Sequence, residues 1–137
     1  MTRTANAVWN GDLKTGKGTI STQSKGLSDT QYSFGTRFGD GVGVNPEELI
    51  AAAHASCFSM ALSAQLGERG ITPESIATKA EVTMENLTLT KSHLITTVTA
   101  SGADEAQIRE AADAAKAGCP ISKALSSLEI TLDLTIG

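Results

Sequence analysis

The stretch NPEELIAAAHASCFSMALSAQLGERG, residues 45–70, reads as one long helix that is apolar on nearly every side between Leu49 and Leu66. A helix without a polar face has to be buried. Asn45 is a good N-cap and Pro46 suits the first helical position, while Glu47 and Glu48 set negative charge against the positive end of the helix dipole. Gly70 ends it. Small residues such as Ala52, Ser56, Ser59 and Ala64 leave room for another element to approach the backbone, and Cys57 is the one reactive side chain in the middle. A membrane span needs about 20 mostly apolar residues. Here His54, Ser56, Ser59, Ser63 and Gln65 dilute the run, so a core helix with no membrane partner is the expectation.

Outward from this helix, residues 4–10 and 17–24 alternate loosely around Gly11, Asp12, Lys14 and Gly16, which predicts an opening β-hairpin, followed by a short strand at 31–34. Residues 35–46, GTRFGDGVGVNP, place four glycines in nine residues and read as a loop. The glycines have no nucleotide-binding spacing, and the helix they precede opens with two glutamates that would repel a phosphate. After the central helix, residues 75–84 and 93–101 read as two strands rich in β-branched residues, paired antiparallel. Residues 103–117 form a second helix, closed by Gly118. Cys119 and Pro120 then take the N-cap and first position of a short helix, PISKALSS, before a last strand at 128–136. The order βββ-α-ββ-α-α-β is α+β with a mostly antiparallel sheet.

The length of 137 residues fits one domain that buries roughly two thirds of its unfolded surface. A net charge of -4, with no two basic residues adjacent, leaves no electrostatic footprint for nucleic acid. The N-terminal MTRTANAVWNGD lacks the apolar core of a secretory signal, which makes the cytoplasm the expected compartment. Thiols there are kept reduced, so Cys57 and Cys119 are expected as free, catalytic or redox-active groups rather than a structural bridge.

Each cysteine has two readings. Cys57 is either an inert core thiol or a functional one. Cys119 is the stronger nucleophile on local sequence alone, because unpaired N–H groups and the dipole at a helix N-terminus favour thiolate. His54 lies three residues before Cys57 on the same helix face, which permits a metal pair or a base and nucleophile pair. A buried histidine satisfied by a backbone carbonyl is the alternative. His93 lies on a strand with no evident partner, and Arg37 is the one strong candidate for a fixed positive charge near a thiol. Trp9, Tyr32 and the three phenylalanines read as core or interface residues.

The segments TRF at 36–38, NPEELIAAAHASCFSMALS at 45–63 and KAGCPISKAL at 116–125 closely resemble the osmotically inducible protein C branch of the family that also contains the organic hydroperoxide resistance proteins. The resemblance covers essentially the whole chain. It implies an OsmC-like fold of mostly antiparallel sheets packed around a long buried helix. It also implies an intertwined homodimer and a thiol-dependent peroxidase that uses no metal, flavin or haem. By motif, Cys57 corresponds to the peroxidatic cysteine and Cys119 to the resolving one, reversing the ranking from local sequence. Arg37 and Glu47 would complete the site, and Glu48 is the second acid typical of this branch. The resemblance further implies an organic hydroperoxide as substrate and a dithiol reductant, with lipoyl groups rather than thioredoxin. An apolar lining of Phe38, Phe58, Met60 and Ile121 is expected to favour organic hydroperoxides over hydrogen peroxide.

Overall fold

The computed structural model describes residues 1–137, which form two compact units, Met1–Leu49 and Ile50–Gly137. The first unit holds a three-stranded antiparallel sheet of β1 (Ala5–Asn10), β2 (Lys17–Thr22) and β3 (Thr30–Tyr32), in the order β1-β2-β3. Asp12 shapes the hairpin turn by accepting the Thr15 N–H at 2.7 Å. Gly18 pairs with Trp9 on one side and Tyr32 on the other. A Cβ at Gly18 would lie 2.4 Å from the Tyr32 ring and 2.8 Å from the Trp9 ring. Glycine there lets the two rings come together with centroids 5.4 Å apart.

The glycine-rich stretch is not all loop. Phe34–Phe38 form a short helix, α1, because Ser33 and Thr36 make a reciprocal capping box. The Thr36 N–H donates to Ser33 Oγ at 3.3 Å, and the Ser33 N–H donates to Thr36 Oγ1 at 2.9 Å. Two saturated orphan donors outweigh the cost of Gly35 in so short a helix. Asn45 Nδ2 then donates to the Thr36 carbonyl at 3.0 Å, while Asn45 Oδ1 accepts the Glu48 N–H at 2.8 Å as the expected cap of the long helix.

That helix, α2 (Pro46–Glu68), is unbroken. It closes at Gly70, whose φ of +73° suits glycine, and the Ile71 N–H reaches back to the Leu66 carbonyl at 2.9 Å. The expectation of burial on nearly every side is met on one stripe only. His54, Phe58, Leu62 and Leu66, spaced four apart, are buried, whereas Ala52, Ser56, Met60, Ser63, Ala64 and Gly67 are exposed. One chain has only one layer to offer the helix, so the remaining apolar surface stays open.

In the second unit, β4 (Ser75–Glu85) and β5 (Thr88–Thr99) pair antiparallel through Asn86 and Leu87, both at positive φ as a tight hairpin demands. β5 begins five residues before the expected start at His93, since the hairpin carries pairing down to its turn. α3 (Glu105–Gly118) and α4 (Pro120–Ala124) carry the chain across to β6 (Glu129–Ile136), which therefore joins β5 in parallel. β5 alternates cleanly, with Ser92, Leu94, Thr96 and Val98 buried on one face. Leu94 and Val98 pack against Phe58, Leu62 and Leu66 of α2 and against Ile108, Ala111, Ala112 and Ala115 of α3. The i, i+3, i+4, i+7 spacing of the α3 residues is the apolar stripe that fixes its orientation.

Candidate active site

Cys119 is both the C-cap of α3 and the N-cap of α4, with Pro120 at the first helical position as expected. Its sulfur accepts the Ser122 N–H at 3.4 Å. Cys57, from the middle of α2, lies near enough for each thiol to shift the other's titration, so the two free thiols, 62 positions apart in sequence, are neighbours in the second unit. Their environments differ in two respects. Cys119 is completely buried, while Cys57 retains some exposure. Burial pushes the Cys57 thiol up, and donation of its S–H to Cys119 pushes it further, against a smaller opposing effect of the Ile121 N–H. Burial alone would also raise Cys119. The Ser122 N–H, the Cys57 thiol, the Ser122 hydroxyl and the Ile121 N–H outweigh it and hold Cys119 below its ordinary value.

His54 is fully buried but is satisfied by hydroxyls rather than by a backbone carbonyl. Nδ1 lies 2.6 Å from Ser92 Oγ of β5, and Nε2 lies 2.8 Å from Ser122 Oγ of α4. Burial lowers its affinity for a proton. Both ring nitrogens are committed, so neither is free to bind a metal with Cys57 or to act on that thiol directly. The expectation for His93 is also corrected, because its Nδ1 meets Thr131 Oγ1 and its Nε2 meets Asp133 at 3.0 Å across the β5–β6 pair.

In the first unit, Arg37 and Glu47 form a forked ion pair. Nη2 donates to Oε1 at 2.7 Å and Nε donates to the same oxygen at 3.0 Å and to Oε2 at 3.3 Å. The Arg37 guanidinium also lies 5.5 Å from the Phe38 ring centroid. Glu48 is exposed and its carboxylate enters no ion pair. A cavity of about 240 Å³ opens here, lined by Trp9, Leu13, Tyr32, Phe34, Arg37 and Phe38 among others.

The apolar lining is therefore only partly as expected. Phe38 lies on the cavity and Met60 is exposed on α2, but Phe58 is fully buried in the core, where its ring fills the space between α2 and β5. Trp9, Leu13, Tyr32 and Phe34 were not anticipated as lining. Ser92 and Ser122 were also missed as partners of His54, although Ser122 stands in the quoted GCPIS run, three residues after Cys119.

Two neighbouring free thiols, one with solvent access and one enclosed, are the arrangement that dithiol redox chemistry requires. Residues 39–135 match the family described as OsmC-like protein, and the chain belongs to that family. Over 131 residues it is 50% identical to the Peroxiredoxin OsmC of Escherichia coli (strain K12), spanning 93% of this chain and 91% of that one, and equally to that of Shigella flexneri. It is accordingly a peroxidase, an oxidoreductase with redox-active cysteine. Among solved structures, the fold is that of an OsmC like protein from Mycoplasma pneumoniae, with a TM-score of 0.78 over 99% of this chain and 97% of that one at 16% identity. The organic hydroperoxide resistance protein OhrB of Bacillus subtilis matches with a TM-score of 0.69 at 25% identity, covering 96% and 98% of the two chains.

Proposed function

We propose that the chain reduces organic hydroperoxides to alcohols through a Cys57 sulfenic acid and a Cys57–Cys119 disulfide. The observation that carries this reading is that an accessible thiol and an enclosed one are near neighbours. Cys57 is open to a hydroperoxide and Cys119 is enclosed, which supports Cys57 for the first step. Its thiolate attacks the terminal peroxide oxygen and the O–O bond breaks. The alkoxide leaves as the alcohol after taking a proton, and Cys57 becomes a sulfenic acid. The Cys119 thiolate then attacks the Cys57 sulfur, the S–O bond breaks, and the hydroxide leaves as water after taking a proton from solvent. An external dithiol, a lipoyl group in this proposal, reopens the disulfide by exchange.

Cys57 needs help to ionise, because burial works against its thiolate. Arg37, held in position by Glu47, is proposed as the guanidinium that supplies it, with Glu48 the second acid of the site. The apolar cavity beside Arg37 suits the organic part of a hydroperoxide better than it suits hydrogen peroxide. A homodimer is part of the same proposal. Glu47 and Cys57 are ten residues apart on an unbroken helix, about 15 Å along its axis at 1.5 Å per residue. The open α2 stripe of Ala52, Ser56, Met60, Ser63 and Ala64 offers small residues against which a second copy can pack about a twofold axis, bringing its own Arg37 and Glu47. One OsmC-like domain spanning residues 1–137, acting in the cytoplasm without metal, flavin or haem, completes the proposal.

The direct test is hydroperoxide consumption with dihydrolipoamide, comparing tert-butyl hydroperoxide with hydrogen peroxide. Faster consumption of the organic substrate, with a Cys57–Cys119 linkage found by mass spectrometry, is the expected result. No linkage after peroxide treatment would rule the two-cysteine scheme out. For the shared site, mixing Glu47→Ala and Cys57→Ser chains should recover activity as subunits exchange, and continued inactivity despite exchange would rule it out.

A further inference from the structure

The chemistry above leaves His54 unused, although it is fully enclosed and joins three elements: α2, β5 through Ser92 and α4 through Ser122. Ser122 is the link to the thiols. It is itself buried, its N–H donates to the Cys119 sulfur at 3.4 Å, and its hydroxyl lies close enough to help hold that sulfur below its ordinary value. A serine hydroxyl carries one proton, and where that proton points depends on the histidine. If Ser122 donates to His54, it has nothing to give the sulfur. If the ring proton sits on Nε2 and is donated to Ser122 Oγ, the Ser122 proton is left for Cys119.

The second arrangement requires Ser92 to be the donor at Nδ1. The Ser92 hydroxyl can donate to Nδ1, which leaves the single proton of the neutral ring on Nε2. The ring is kept neutral by burial, and no charged group contributes to its shift. The groups around the ring are thus the hydroxyls of Ser92 and Ser122, with Cys119 beyond Ser122. We propose that His54 is a positioning residue for disulfide closure: its Nε2–H holds the Ser122 hydroxyl so that the Ser122 proton is donated to the Cys119 sulfur, poising Cys119 as a thiolate for attack on the Cys57 sulfenic acid.

The inference rests on Cys119 being the resolving thiol, and the test keeps the two apart. In a Cys57→Ser background, far-ultraviolet thiolate absorbance against pH reports Cys119 alone. Ser122→Ala and His54→Leu should each move that titration upward by about one pH unit, a tenfold smaller thiolate fraction below the midpoint. With both cysteines present, the same changes should slow disulfide closure after one equivalent of hydroperoxide, and leave formation of the sulfenic acid at its original rate. A purely structural role would slow both steps together. His54→Gln, whose amide can still donate to Ser122, should restore part of the closure rate. In the Ser122→Ala background it should have no further effect. An unmoved Cys119 titration in folded Ser122→Ala protein, or a full His54→Gln effect without the Ser122 hydroxyl, would overturn the proposal, and neither variant depends on His54→Leu folding. Failure of the underlying reading would appear separately, as sustained turnover by Cys119→Ser.

Discussion

The middle of α2 and the junction of α3 with α4 each present one cysteine, and they treat it in opposite ways. At Cys57 the surrounding helix N–H groups are already spent on carbonyls one turn back, so burial dominates and the thiol is pushed up. At Cys119 the chain turns into a new helix, the N–H groups of Ile121 and Ser122 are free to point at the sulfur, and the thiol is held down. Exposure runs the other way, with Cys119 sealed and Cys57 reachable. Acidity and access are thus divided between two residues. A buried, readily ionised thiol suits attack on a neighbouring sulfenic acid, whereas a reachable thiol suits peroxide, provided that a cation compensates for its surroundings.

The largest effects should come from breaking this division. Cys57→Ser should abolish peroxide consumption, whereas Cys119→Ser should complete one turnover and then leave Cys57 open to overoxidation to the sulfinic acid, seen as added oxygen by mass spectrometry. Equal residual activity in the two variants would erase the distinction between the sites. One residue beyond Cys57, the same helix turns to its buried stripe. Phe58→Ala should cost about 3–5 kcal/mol in denaturant unfolding, since the ring is fully enclosed. Glu68→Ala, exposed at the end of the same helix and outside the proposed dimer stripe, should stay within about 0.5 kcal/mol. Comparable losses in both would mean that α2 does not have one buried and one open side.

A smaller effect is expected from Arg37→Met. With burial pushing the Cys57 thiol up, removing the proposed cation leaves less thiolate near neutrality and moves the rate-against-pH curve to higher pH, since the reactive form appears only as the thiol titrates. The rate near neutral pH should fall by about a hundredfold, as for loss of one preorganised electrostatic partner. An unchanged pH profile would give Arg37 another role.

Much of this was legible in sequence. The cap at Asn45, the glutamates after it, the glycine end of α2 and the Cys119-Pro120 start of α4 depend on local chemistry, and all stand where the residues put them. What depends on long-range packing was not. The five-residue α1 was hidden by its glycines although its Ser33 and Thr36 capping pair was present, and the parallel β5–β6 pair follows from a helical crossover rather than from either strand's pattern. The hydroxyls that satisfy His54 come from 38 and 68 residues away, a distance over which no local spacing speaks. The two cysteines stand out in sequence, but local sequence favours Cys119, because it reports acidity at a helix end and is silent on access.

Trapping the sulfenic acid therefore tests the assignment most directly. Cys119→Ser and Cys57→Ser proteins, each treated with one equivalent of organic hydroperoxide in the presence of a cyclic 1,3-diketone, should differ completely. The adduct should form on Cys57 in the first and be absent from Cys119 in the second, even though Cys119 titrates at the lower pH. An adduct on Cys119 in the second protein, formed as fast as that on Cys57 in the first, would contradict Cys57 as the nucleophile.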